Sequence, residues 1–230
     1  MKDKFNVNTA LAVIFAVVVL AGGCRSSLED EIRADFAKIP DYLLYRRHGC
    51  HSFVRYTYTR IADIPDETRR MKMLREFTDL LFSVDFFQYY PLENTGSVAR
   101  RKSLIGLGNA LGALRHVSWE SYMALRGIGL PLHECWEVQF RYLEQRKRYG
   151  EQIEKLTGIK PSGYEADIRN IEWKIAYGRD CDTISPNELA LLRRRFEEIT
   201  GRSMRTREEF DAEMIHPMEG NSNSRTGNLR

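Results

Sequence analysis

The chain has 230 residues and a formal net charge of +3, with 43% hydrophobic and 29% charged residues. Sixteen glycines and seven prolines exclude a fibrous or low-complexity chain, and this apolar content with balanced charge excludes global disorder. The length suffices to bury a core, in one domain or two small ones, and so slight a basic excess points to no nucleic-acid partner.

The first element is a sorting signal. Met1 to Lys4 is charged, and the run from Ala10 to Ala21 reads ALAVIFAVVVLA. An apolar run of about a dozen residues has the size of a signal-peptide core, whereas a membrane-spanning helix needs about 20. Small residues and a cysteine close the run as Leu20-Ala21-Gly22-Gly23-Cys24. That segment resembles the lipobox of bacterial lipoprotein precursors. The resemblance implies cleavage after Gly23, a diacylglycerol on the sulfur of Cys24, and Cys24 as the mature N-terminus. It implies a bacterial cell-envelope protein held to a membrane through lipid on Cys24 and facing the periplasm or the exterior. Arg25, where some lipoproteins of that class carry an inner-membrane retention aspartate, favours the outer membrane. An ordinary cleaved signal peptide or a short uncleaved anchor would also place the chain outside the cytoplasm. Loss of residues 1–23 takes Lys2, Asp3 and Lys4 and lowers the formal charge from +3 to +2.

From Cys24 onward the chain reads as helix after helix to residue 217. One or two short helices occupy 27–47, broken near Pro40. The segment Phe53–Ile61 (FVRYTYTRI) has strand-like composition, but a lone strand has nothing to pair with, so it reads as helix or irregular chain. Pro65 starts a helix with Met71, Leu74, Leu81 and Phe82 on its apolar side, running to Tyr90. Another covers about 97–125. A third runs from Pro131 to Thr157 with Cys135, Tyr142, Tyr149 and Leu156 spaced by seven, a seam for a neighbouring helix. Ser162 with Glu165 forms a capping-box pattern before a stripe of Tyr164, Ile168, Ile171 and Ile175. Ser185-Pro186-Asn187-Glu188 is the strongest start signal, followed by Leu189, Leu192, Phe196 and Ile199 and closed by Gly201. Thr206 with Glu209 opens a last short helix. The polar segment 218–230 predicts a disordered tail. The expected fold is all-α: a compact bundle of six to seven helices behind a cleaved signal peptide. Leu156-Thr157-Gly158 and Ile199-Thr200-Gly201 echo one another, which is better read as a shared helix ending than as a repeat.

Several constellations carry potential chemistry. With Cys24 acylated, Cys50, Cys135 and Cys181 remain, enough for one disulfide and one leftover thiol, or for three reduced thiols. His48, Cys50 and His51, with His133 and Cys135, are soft and imidazole ligands of the kind zinc or copper takes, but their spacing matches no zinc motif and no metal or other cofactor is expected. Gly106-Leu107-Gly108-Asn109-Ala110-Leu111-Gly112 lacks the preceding strand of a phosphate loop and predicts close helix packing at Gly108 and Gly112. Glu213 with His216 is a single Glu-x-x-His pair, where a di-iron bundle needs two. Phe86-Phe87-Gln88-Tyr89-Tyr90 reads as a buried helix end. The basic triplets 100–102, 146–148 and 193–195 have acidic neighbours and read as solvated faces. No Ser/His/Asp set is legible. These readings converge on a membrane-anchored, non-enzymatic domain that binds or scaffolds a protein partner. The alternative is a hydrolase, or a small-ligand or metal-binding protein whose site forms only in three dimensions.

Overall fold

The computed structural model describes residues 27–45, 49–93, 96–178 and 180–215. The sorting signal with Cys24, and His48, His216 and the tail 218–230, lie outside the described residues.

The fold is all-α, with ten α-helices among the described residues: α1 (Leu28–Phe36), α2 (Ile39–Leu44), α3 (Cys50–Ala62), α4 (Glu67–Ser83), α5 (Phe86–Tyr89), α6 (Ser97–Ile128), α7 (Leu132–Thr157), α8 (Tyr164–Tyr177), α9 (Pro186–Thr200) and α10 (Arg207–Ile215). A 3₁₀ turn, Cys181–Thr183, links α8 to α9. The count exceeds the six to seven expected, for two local reasons. The segment with strand-like composition is helix α3, whose apolar residues Phe53, Val54, Tyr58 and Ile61 are buried. The helix expected to run from Pro65 to Tyr90 breaks at Val84-Asp85, where Asp85 caps the short α5.

A distant side chain bridges that break. The Tyr149 hydroxyl donates to the Val84 carbonyl at 2.9 Å and accepts from the Phe86 N–H at 2.9 Å, satisfying two of the backbone groups that the interruption frees, while Asp85 accepts from the Phe87 N–H and Gln145 donates to the Phe82 carbonyl. Phe86 and Phe87 then stack on the Tyr149 ring.

Helices α6 and α7 form the spine. They have 32 and 26 residues, roughly 48 and 39 Å at 1.5 Å per residue, and turn back on one another through Gly129, which is left-handed at φ 88°. Helices α2 and α3 pack on α6, α1 and α4 pack on α3, and α8 and α9 pack on α7. The seam reading of α7 holds: Cys135, Tyr142 and Tyr149 are buried and Leu156 is half-buried. Gly108, expected to allow close packing, has open space beside it. Gly106 has that role instead, because a Cβ there would lie 2.3 Å from the Tyr90 ring.

The cap signals sort cleanly. Ser185 and Glu188 form the full capping box of α9, and Gly201 ends that helix left-handed at φ 72°. Thr206 and Glu209 exchange the equivalent bonds at α10. Ser162 does not cap α8. The cap position is Gly163 at φ 95°, and the Ser162 carbonyl instead accepts from Arg146 at 2.6 Å.

Candidate functional site

The sequence-marked ligands do not converge. Cys50 is buried at the start of α3 and His51 beside it is exposed. His133 and Cys135 sit in the first turn of α7, His133 with its Nδ1 3.8 Å from Glu188. Among the described residues no group of three or more His, Cys, Asp or Glu side chains is placed to hold a metal. Cys50, Cys135 and Cys181 stand on three different elements and no disulfide joins them. Burial pushes the Cys135 thiol up to about 12, which keeps it protonated and unreactive at neutral pH.

Within two of the basic triplets single residues act as clamps, while Arg148, Arg193 and Arg194 are exposed as expected of solvated faces. Arg195 bonds Glu137 and Glu144 of α7 at 3.1 and 2.8 Å, and Lys147 donates to the Ile199 carbonyl at 3.1 Å, so both fasten α9 to α7. The glycine-rich run lies within α6, with no strand before it among the described residues.

What the sequence did not mark is a cleft of about 300 Å³ where α6, α7 and α8 meet. Helix α6 contributes Arg115, His116 and Trp119, α7 contributes Gln139 and Tyr142, and α8 contributes Asp167, Asn170, Ile171 and Lys174. Helical spacing assembles it: 115/119, 139/142 and 167/170/171/174 each fall on one side of their helix. One signal was available. Gln139 lies four residues after Cys135 and three before Tyr142, so it is a polar residue in an otherwise apolar seam.

Three donors hold the acidic wall of the cleft. The buried Asp167 accepts from the Tyr142 hydroxyl at 2.7 Å and pairs with Arg115 at 3.5 Å and Arg146 at 3.4 Å. Desolvation, then the charge and hydrogen bond of Asp167, push the Tyr142 hydroxyl well above its ordinary range, so it stays a donor. Two turns further along the same face of α8, Lys174 places Nζ 3.7 Å from the centre of the Trp119 ring, which also stacks on Tyr122. Desolvation, reinforced by Arg115, lowers the Lys174 pKa. Gln139 is 4% exposed, and its buried Nε2 has no hydrogen-bond partner.

A second, wider cleft of about 770 Å³ lies on the other side of α8 and shares Asn170 with the first. Its key residue is Glu172, whose side chain is fully buried and paired with Arg202 at 3.2 Å and Arg205 at 2.7 Å. Glu172 also accepts from the Arg205 backbone N–H at 3.1 Å. Its carboxylate therefore holds the 201–206 segment onto α8, and Trp173 stands half-exposed beside it. The chemistry of the first cleft is thus mostly donation: an ammonium, a guanidinium with room for another partner, and an amide nitrogen.

Compared with protein-family models, curated proteins and solved structures, the chain matches none.

Proposed function

We propose that this chain is a lipid-anchored protein of a bacterial cell envelope whose helical domain binds a partner or ligand without catalysing a reaction on it. The observation that carries the binding half of this reading is the orphaned Gln139 amide at the three-helix cleft. A buried donor left without an acceptor costs about 1–3 kcal/mol. An acceptor supplied by a bound group would remove that cost, and of the buried unpaired donors Gln139 is the one whose residue lines this cleft. The buried carboxylates of the two clefts weigh against acid–base catalysis there. Asp167 and Glu172 are each held by several donors and have no free geometry for taking a proton from a substrate.

The anchoring half rests on the lipobox resemblance and on where the first helix starts. Ser27 is the N-cap of α1, with Asp30 completing its capping box, and it follows Cys24 by three residues. Three residues span at most about 10 Å, so lipid on Cys24 would hold the start of α1 at the membrane surface. Helix α4 begins at the same pole, since Arg69 pairs with Glu29 at 3.5 Å. Among the described residues no helix is long and apolar enough to cross a membrane.

Intact-mass spectrometry of protein from native membranes tests the anchor. The expected mass is that of a chain beginning at acylated Cys24, and Cys24→Ala releases the protein from the detergent phase. A mature chain with an unmodified N-terminus at another residue overturns the anchoring. Turnover of esterase, peptidase or phosphatase substrates that disappears in Asp167→Asn overturns the non-catalytic reading.

A further inference from the structure

We infer that the cleft between α6, α7 and α8 is a binding site for the carboxylate of a small organic acid, held by Lys174, Arg115 and Gln139. The inference rests on the reading of the domain as a binding module and names its ligand class.

The residues select this chemistry by elimination. A cation is excluded because the one carboxylate of the cleft, Asp167, is already shared among Tyr142, Arg115 and Arg146. A sugar stacked on an aromatic face is excluded because Trp119 is covered by Tyr122, at 5.0 Å between ring centres, and by the Lys174 ammonium. What remains are groups that need an acceptor. The Lys174 ammonium has a ring beneath it but forms no ion pair with a carboxylate. The Arg115 side chain is half-exposed and reaches Asp167 only at 3.5 Å through Nε, which leaves its terminal nitrogens for another oxygen. The Gln139 Nε2 is buried and unpartnered. The three side chains line one space from three helices, so a planar group with two oxygens seated there lies between the Arg115 and Lys174 cations, and a turn of the Gln139 amide brings its N–H to the group.

Charge sets the valence of the ligand. Lys174 and Arg115 attract an anion, while the buried Asp167 beside them opposes a second negative charge. A monoanion is therefore preferred over a phosphate dianion. Size agrees, since about 300 Å³ corresponds to roughly ten water molecules in liquid volume. That is room for a carboxylate on a short chain or at the free end of a peptide, and not for a folded domain.

The test is equilibrium dialysis of radiolabelled propionate against the full-length acylated protein in detergent, at fixed ionic strength. One saturable equivalent is expected. Lys174→Met and Gln139→Leu should each weaken binding at least about tenfold, the order of loss when a paired charge or buried hydrogen bond is removed. Arg169→Gln, which faces the second cleft, should bind as wild type does. Gln139→Leu should also keep or raise the urea midpoint, since it removes a buried donor that the free protein leaves unpaired. That combination separates a ligand-binding role from a structural one, and Gln139→Leu decides the matter if Lys174→Met does not fold. Competition identifies the source: a peptide with a free C-terminus displacing propionate better than acetate does assigns a peptide end, and the reverse assigns a free acid. No saturable binding, binding unchanged in Gln139→Leu, or displacement by inorganic phosphate as effective as by propionate overturns the inference. An acylated protein without turnover that also fails to bind propionate overturns the ligand class alone and leaves the anchored-module reading standing.

Discussion

At the scale of single residues, the fold turns on polar side chains that meet backbone groups far away in sequence. Tyr149 is the clearest case, because one hydroxyl bridges two backbone groups released where α4 stops and α5 begins. Tyr149→Phe keeps the ring, and so the stacking on Phe86 and Phe87, while leaving the Phe86 N–H and the Val84 carbonyl without that partner. The expected cost is about 1–3 kcal/mol, read as a lowered urea midpoint with an unchanged slope. A loss below about 0.5 kcal/mol would mean that water replaces the hydroxyl at the break. Within residues 65–90 only Asp85, the cap of α5, marks this interruption. The local pattern is otherwise compatible with one continuous helix, and the hydroxyl that bridges the break arrives from α7. The cleft was hidden for the same reason. Arg115 and Lys174 are ordinary residues on two helices, Gln139 is marked only as a polar residue in the α7 seam, and packing alone makes the three a set.

At the scale of helices, what was legible was what is local. The box at Ser185, the pattern at Thr206 and the left-handed glycines at 158 and 201 all depend on residues within one turn, and all are present. The repeated Thr-Gly ending has a local cause too. Thr157 and Thr200 each donate to the carbonyl four residues back, at 2.6 and 2.8 Å, and each accepts from the N–H two residues on. Ser162 had the right spacing but stands one place before the actual cap, where Gly163 takes a positive φ. Glu188 shows an element-level consequence that its box did not reveal. One oxygen serves Ser185, while the other accepts from the Leu132 N–H at 3.1 Å and so caps α7 as well as α9. The Ser185 hydroxyl, with the backbone N–H groups of Ser185 and Leu132, holds the Glu188 carboxyl below its usual range. A depressed carboxyl pKa contributes stability above its unfolded value, near 4.5, that is lost as pH falls through the lower folded value. Wild type should therefore be more stable than E188Q at pH 7, with the gap closing below about pH 4.5. A gap of constant size across that range, measured by urea unfolding, would show that the charge of Glu188 is not what the caps use.

At the scale of the whole molecule, stability should be graded from spine to flank. Helices α6 and α7 bury apolar residues along most of their length, from Leu107 to Leu125 and from Leu132 to Ile153. Helix α10, at the other extreme, is a short helix packed on α8. The chain leading to it is held largely by Glu172, through Arg202, Arg205 and the Arg205 backbone N–H. Glu172 sits in the apolar stripe of α8, between Ile171 and Ile175, and that polar intrusion is the one sequence-level sign of its role. Removing one member of a buried ion pair strands its partners and costs about 3–5 kcal/mol. A spine whose contacts are untouched gives that cost a local outlet, because detaching residues 201–215 returns Arg202 and Arg205 to water. Glu172→Ala should therefore speed amide hydrogen exchange in α10 and the 201–206 segment far more than in α6 and α7. Met204 and Phe210, buried in the native fold, should become exposed with them and raise binding of an apolar dye. The three-helix cleft lies across α8 from this clamp, so propionate binding should survive the substitution if α8 stays seated on α7. Equal acceleration of exchange in α6, α7 and α10 would instead show that the clamp is part of a single cooperative unit with the spine.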